Sequence, residues 1–228
     1  MPKKLGVFLL SYKRPDYVQE AINSILTQDY DDFELIISEN TSDDTVEKQL
    51  HEYLADSRVQ LIRRTPSLAS LELFNRILAE AGKYEYVMLF HDDDSLVPQA
   101  LSKMMQTLES NAQAAAVACN ASIIKNSEPT NNLLSPNIKT NIEIKDQPQL
   151  INRYIFKNLS HIKLIKNGPF LWLAEPLMKY RQHSSNDSIN LNMRDIFSLS
   201  LYFFKTSPSM ILKIIFYFSK QLIKKLFF

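Results

Sequence analysis

The apolar run Tyr86-Val87-Met88-Leu89-Phe90 stops abruptly at His91-Asp92-Asp93-Asp94, and this junction constrains the fold more than any other stretch of the chain. A short, continuous apolar run reads as a strand buried on both faces. Carboxylates cannot follow such a strand into the core, so it must end at the carboxyl edge of its sheet, where open α/β folds bind ligands. Asp92 and Asp94 flank one residue, and extended backbone points both the same way. Two convergent carboxylates beyond an apolar strand suit a hard divalent cation carrying a phosphorylated ligand. A simple turn, with Asp94 or Ser95 capping a helix that begins near Pro98, explains the same residues.

The surrounding pattern supplies the sheet. Leu5 to Leu10 is an apolar first strand, and Pro15-Asp16 opens a helix with Val18, Ala21, Ile22, Ile25 and Leu26 on one face. Phe33 to Ile37 reads as a second strand, followed by a helix from Ser42-Asp43-Asp44 to about Leu54. Val59 to Ile62 is a third strand, and a helix from Leu68 to Ala81 ends at Gly82, a favoured residue for that position. After the acidic run, a helix from Pro98 to Ser110 and a fifth strand from Ala114 to Ile124 complete a series of βα units, which predicts a mostly parallel sheet with helices on both faces. Lys125 to Gln149, rich in Asn, Ser, Thr and Pro, reads as loop or lid, with a short helix expected near 150–156. Pro169 to Leu173 and Leu177 to Tyr180 are one or two further strands.

Composition removes several classes of function. Lys and Arg number 26 against 25 Asp and Glu, which gives no electrostatic grip on nucleic acid. With only 3 glycines there is no dinucleotide fingerprint and no Walker loop, so any phosphate here is held by side chains and a metal. The single Cys119 fits a reducing compartment and reads as a small core residue, and Trp172 reads as core. The amino terminus shows no signal peptide.

The ordered motifs resemble glycosyltransferase family 2. Val7-Phe8-Leu9-Leu10-Ser11-Tyr12-Lys13-Arg14-Pro15 is similar to the family's first strand and its Thr/Ser-Tyr-Asn-Arg loop, with Lys13 in place of Asn. Ser24-Ile25-Leu26-Thr27-Gln28-Asp29-Tyr30 precedes the second strand as in the family. Glu39-Asn40-Thr41-Ser42-Asp43-Asp44 stands where a nucleotide-contacting pattern begins with Asp. Asp92-Asp93-Asp94 resembles the DxD element, and Glu175-Pro176-Leu177-Met178-Lys179-Tyr180-Arg181-Gln182-His183 resembles the family's E-P-L-x-x-Y-R-x-H segment.

The resemblance implies an α/β, GT-A type, Rossmann-like fold with a mostly parallel sheet flanked by helices. It implies Ser11, Tyr12, Arg14, Glu39, Asp92 and Asp93 against a nucleotide-sugar, and Mg2+ or Mn2+ held by Asp92, Asp94 and His183. The implied activity is inverting transfer of the sugar to a cell-surface glycan such as lipopolysaccharide or capsule, with a saccharide or lipid-linked acceptor. The expected organisation is a donor-binding domain over 1–124, a shortened acceptor-side region over 125–190 and a helical tail over 191–228.

Inverting transfer needs a base to take the acceptor proton, and the family's acidic pair is missing. Between Asp94 and Glu175 the carboxylates are Glu109, Glu128, Glu143 and Asp146, of which Asp146 is the candidate as part of a lid. In the tail, Ile211, Ile214, Ile215, Phe218, Leu222 and Leu226 share a helical face opposite Lys213, Lys220 and Lys224. That amphipathic pattern predicts peripheral attachment to the inner, cytoplasmic face of the membrane, against the alternative of packing on the catalytic domain or a second subunit. The competing function is a degenerate, non-catalytic relative that binds a nucleotide or a partner. A sugar-nucleotide-forming nucleotidyltransferase would want a glycine-rich loop after strand one, which is absent.

Overall fold

The computed structural model describes residues 4–41, 44, 46–125, 127–145 and 168–183. Its first half is a four-stranded parallel sheet in the order β3-β2-β1-β4, built from β1 (Leu5–Ser11), β2 (Phe33–Glu39), β3 (Val59–Arg63) and β4 (Tyr86–His91). Period-two alternation sends neighbouring residues of β1 and β2 to opposite faces. Val7, Leu9, Leu35 and Ile37 join one core with Val18, Ala21, Ile22 and Ile25 of α1 (Pro15–Leu26) and Leu101, Met104 and Met105 of α4 (Ala100–Glu109). Phe8 and Ile36 face the other way, onto Leu73 and Ile77 of α3 (Ser70–Glu80) and Tyr84. Gly6 makes room there, since a Cβ at that position would sit 2.4 Å from the Tyr84 ring.

The register aligns the exits of the strands. Ser11 lies opposite Glu39 and Leu10 opposite His91, so the loops after β1, β2 and β4 leave the sheet at one level. β1 runs on to β2 on one side while β4 lies on the other. The gap between β1 and β4 is therefore the topological switch point, where a crevice forms.

The second sheet departs from the sequence expectation. Ala114 to Ile124 was expected as a fifth strand of the main sheet; β6 (Ala116–Lys125) instead pairs in parallel with β9 (Phe170–Gln182), which continues through both expected strand segments as one element. The sheet runs β5 (Ser95–Leu96), β9, β6, β7 (Glu128–Leu133), with β8 (Ile142–Ile144) also on β9. The stretch expected to be loop contains β7 (Glu128–Leu133), a largely exposed antiparallel return from β6, and β8 (Ile142–Ile144). Neither carries enough apolar alternation to announce itself; each is made by pairing with a neighbour. β5 (Ser95–Leu96) joins Lys179 and Met178 directly after the acidic run, for the same reason.

Helix ends also shift. The second helix is a single turn, α2 (Glu47–Leu50), continued by a 3-10 turn over His51–Ala55. Gly82 lies in a 3-10 turn after α3 rather than capping it. α4 starts at Ala100 because Gln99 sits at φ 66, in the left-handed region, and breaks the helical path after Pro98. Trp172 is buried, as expected of a core residue. The short helix expected near 150–156, Asp146 and the tail over 191–228 lie outside the described residues.

Candidate functional site

The crevice is assembled from the loops after β1, β2 and β4 and the end of β9. In the first loop, Lys13 adopts φ 54, a conformation that Asn tolerates better than Lys, so the turn geometry survives the substitution of the family's Asn. The turn aims two backbone donors. Tyr12 N donates to Asp92 Oδ2 at 2.8 Å and Lys13 N to Thr41 Oγ1 at 3.0 Å. Arg14 Nη1 donates to Asp92 Oδ1 at 2.9 Å and lies 3.8 Å from Asp93 Oδ2. The Tyr12 ring, 43% exposed, stands at the mouth with Lys13 Nζ 5.1 Å from its centroid.

Ser11 and Glu39 face inward. Ser11 Oγ donates to Glu39 Oε2 at 2.6 Å and Thr41 N donates to Oε1 at 2.5 Å, with Glu39 fully buried. Both carboxylate oxygens therefore help to shape the β2 exit. Asn40 pins that exit to the loop after β3: its Nδ2 donates to Leu68 O at 2.9 Å and its Oδ1 accepts from Leu68 N at 2.7 Å. Asp44 caps no helix but pairs with Arg63, while Ser42 lies outside the described residues.

All three aspartates of the acidic run are buried. Burial raises the Asp92 carboxyl to about 6, against the opposing pull of Tyr12 N–H and Arg14. Burial likewise lifts Asp94 to about 7; its Oδ1 accepts from Arg181 N at 3.0 Å, while the neighbouring Asp93 charge adds to the rise. Burial makes both carboxyls hold a proton more readily than an exposed aspartate does, and a bound cation would serve in the proton's place. His183 Nε2 lies 3.0 Å from Asp93 Oδ2, and its ring centroid is 5.4 Å from that of Tyr17. His183 thus meets the middle aspartate of the run. Among the described residues no three His, Cys, Asp or Glu side chains are already gathered as a metal cage.

The other carboxylates of the interval separate by location. Glu109 pairs with Lys4 at 2.7 Å, before the start of β1 and so at the opposite edge of the sheet from the crevice. Glu143 lies opposite Leu171, near the start of β9. Glu128 lies opposite Lys125, which itself lies opposite Gln182, and the adjoining Ser127 Oγ accepts from Arg181 Nη1 at 3.2 Å. Glu128 is therefore the described carboxylate of this interval at the His183 end. No local signal marks it, because the β6–β7 turn that carries it there was not legible. Arg181, Tyr17 and Glu20 were missed as site residues for a related reason: their partners are far away in sequence.

Fold and crevice together define the GT-A class: a parallel sheet whose switch point gathers acidic and basic groups from β1, β4 and a late strand. The chain belongs to glycosyl transferase family 2, whose family model matches residues 7–170. It is 29% identical over 174 residues to the Campylobacter jejuni GalNAc(5)-diNAcBac-PP-undecaprenol beta-1,3-glucosyltransferase, covering 75% of this chain and 55% of that protein. It is 32% identical over 124 residues to Bacillus subtilis protein CgeD, covering 51% of this chain and 29% of that one. The fold matches Staphylococcus aureus TarS 1–349 in complex with UDP-GlcNAc, with a TM-score of 0.64 and 13% identity over 87% of this chain and 65% of TarS. The chain thus spans less than two thirds of the length of each of these proteins.

Proposed function

We propose that the protein is an inverting glycosyltransferase that moves a sugar from a nucleoside-diphosphate donor to a growing cell-surface glycan. The observation that carries this reading is the polar cluster at the β1–β4 switch point, where Tyr12 N–H and Arg14 meet the buried Asp92. The relationship to a lipid-linked-glycan glucosyltransferase and the UDP-GlcNAc complex of TarS support the same donor and acceptor classes. In this reading residues 1–124 bind the donor, 125–190 frame the acceptor, and the 191–228 tail attaches peripherally to the inner face of the membrane. Among the described residues no helix is long and apolar enough to cross a membrane.

The donor set fits Mg2+ or Mn2+. Asp94 offers a buried carboxylate whose only hydrogen bond among the described residues goes to one oxygen. Cations that bind diphosphates commonly use one or two carboxylates and complete their shell with phosphate oxygens and water, so a full protein cage is not needed. Asp92 and Asp94 would hold the ion, with His183 at its flank, and the ion would neutralise the departing diphosphate. Arg14 adds positive charge toward the same diphosphate, and the exposed Tyr12 face suits stacking on a base or sugar. On the acceptor side, Glu128 joins Asp146 as a candidate to take the hydroxyl proton.

Calorimetric titration with UDP, dTDP and GDP, with and without Mn2+, tests the donor site. Metal-dependent binding is expected with one of them, and Asp94→Ala should weaken it by at least about 100-fold, as expected for loss of a charged ligand. Failure of all three nucleotides to bind the folded protein would overturn the donor-site reading.

A further inference from the structure

We infer that Arg181 is a positioning residue that sets the acidic run for donor binding, and that Glu20 on the surface of α1 holds Arg181 in place. The inference rests on the donor-site reading above. Arg181 is 2% exposed and reaches several elements at once. Its Nε donates to Asp93 O at 2.9 Å, its backbone N donates to Asp94 Oδ1 at 3.0 Å, and its Nη2 donates to Glu20 Oε2 at 2.5 Å. Its Nη1 donates to Ser127 Oγ at 3.2 Å, and the guanidinium packs over the Tyr17 ring at 4.6 Å. Glu20 also accepts from Ser95 Oγ at 2.9 Å, directly after the acidic run.

The residues Asp92, Asp93 and Asp94 form a turn rather than a strand, so the strand register does not fix their direction. Two of the three are gripped at their backbone or side chain by one residue, Arg181. A planar guanidinium with several donors at fixed angles holds a carbonyl and a carboxylate in one set geometry, whereas a lysine offers rotatable donors on a flexible stem. Glu20 completes the brace from the first helix. The Glu20 side chain is 48% exposed and the Arg181 side chain 3%, so the brace has an accessible end whose removal does not open the core. Its role is to keep Asp94 aimed at the cation while the diphosphate is bound.

The test compares the wild-type chain with Glu20→Ala, using the tightest binder of UDP, dTDP and GDP, at saturating Mn2+ and in chelator. Glu20→Ala is expected to raise Kd in Mn2+ by roughly tenfold, the size of one charged hydrogen bond, and to leave Kd in chelator essentially unchanged. Glu20→Gln keeps an acceptor for Arg181 and should fall between the two. Arg181→Lys should reproduce the metal-dependent loss, and with Glu20→Gln it carries the comparison if Glu20→Ala fails to fold. A Kd for Glu20→Ala within twofold of wild type in Mn2+, or an equal loss in chelator, would overturn the brace while leaving the donor site standing. A wild-type protein that binds none of the nucleotides overturns the donor-site reading and the brace with it.

Discussion

The two sheets differ in how their strands find their partners. In the parallel sheet β1, β2, β3 and β4 are each an apolar run separated by helical sequence, and all three pairings are parallel with an unbroken register. In the second sheet β9 pairs in parallel with β6 and antiparallel with β5 and β8, and the β6–β9 register shifts around Asn120. One half is thus written locally and the other is written in pairings between distant segments. In the proposed reading the chemistry divides the same way: groups expected to face the donor come mainly from the first sheet, and the acceptor side would be built on the second.

The largest expected effect tests that division. If Glu128 takes the acceptor proton, Glu128→Gln should lower turnover by about 10²–10⁴-fold, the span of general base catalysis, while Mn2+-dependent nucleotide binding stays within twofold of wild type. Glu143→Gln, at the far end of β9, should leave turnover unchanged. Turnover can be read as nucleotide release during transfer to a lipid-linked glycan acceptor. Equal activity of Glu128→Gln and wild type would remove Glu128 and return the search to Asp146.

Legibility follows the same boundary. Asp92, Asp93 and Asp94 stood out because an apolar strand ending in charge admits few structures, whereas Ser11, Tyr12 and Arg14 were named through the family resemblance, and the register brings the end of β1 to the same edge. His183 was placed by the family segment, yet its partner, Asp93, needed coordinates. β7 was not readable because Glu128-Pro129-Thr130-Asn131-Asn132 has the composition of a loop; its pairing with β6 makes it a strand. Arg181 stood inside a recognised motif without a role, since Glu20 is 161 residues away in sequence.

A smaller effect concerns pH. Asp92 and Asp94 are raised to about 6 and about 7, above the roughly 3.9 of an unfolded aspartate. The folded metal-free chain therefore holds protons that the unfolded chain releases. The stability these groups contribute is fully present below pH 4 and is lost as pH rises through 6 and 7. Carboxylates held low by arginine, Asp56 by Arg58 and Glu80 by Arg64, work in the opposite sense and are lost only in acid. Metal-free protein should accordingly melt several degrees lower at pH 8 than at pH 5. Mn2+ should restore the Tm at pH 8, and Asp94→Asn should flatten the slope. A metal-free Tm that rises between pH 5 and 8 would show that the aspartates are not buried as described.

The smallest effect lies at the other end of the same family segment. Lys103 Nζ meets Glu175 Oε1 at 2.6 Å, but the two side chains are 38% and 54% exposed. Solvent screens such a pair and both side chains lose freedom in making it, so its net worth is at most about 1 kcal/mol. Lys103→Ala should thus leave nucleotide binding unchanged and move the Tm by only a degree or two. Arg181 lies six positions after Glu175, and over that distance β9 passes from an exposed ion pair to a buried guanidinium beside the acidic run. If Lys103→Ala weakened Mn2+-dependent binding as much as Glu20→Ala, β9 would be transmitting strain along its whole length. The contrast between a locally written donor sheet and a second sheet that merely closes over it would then fail.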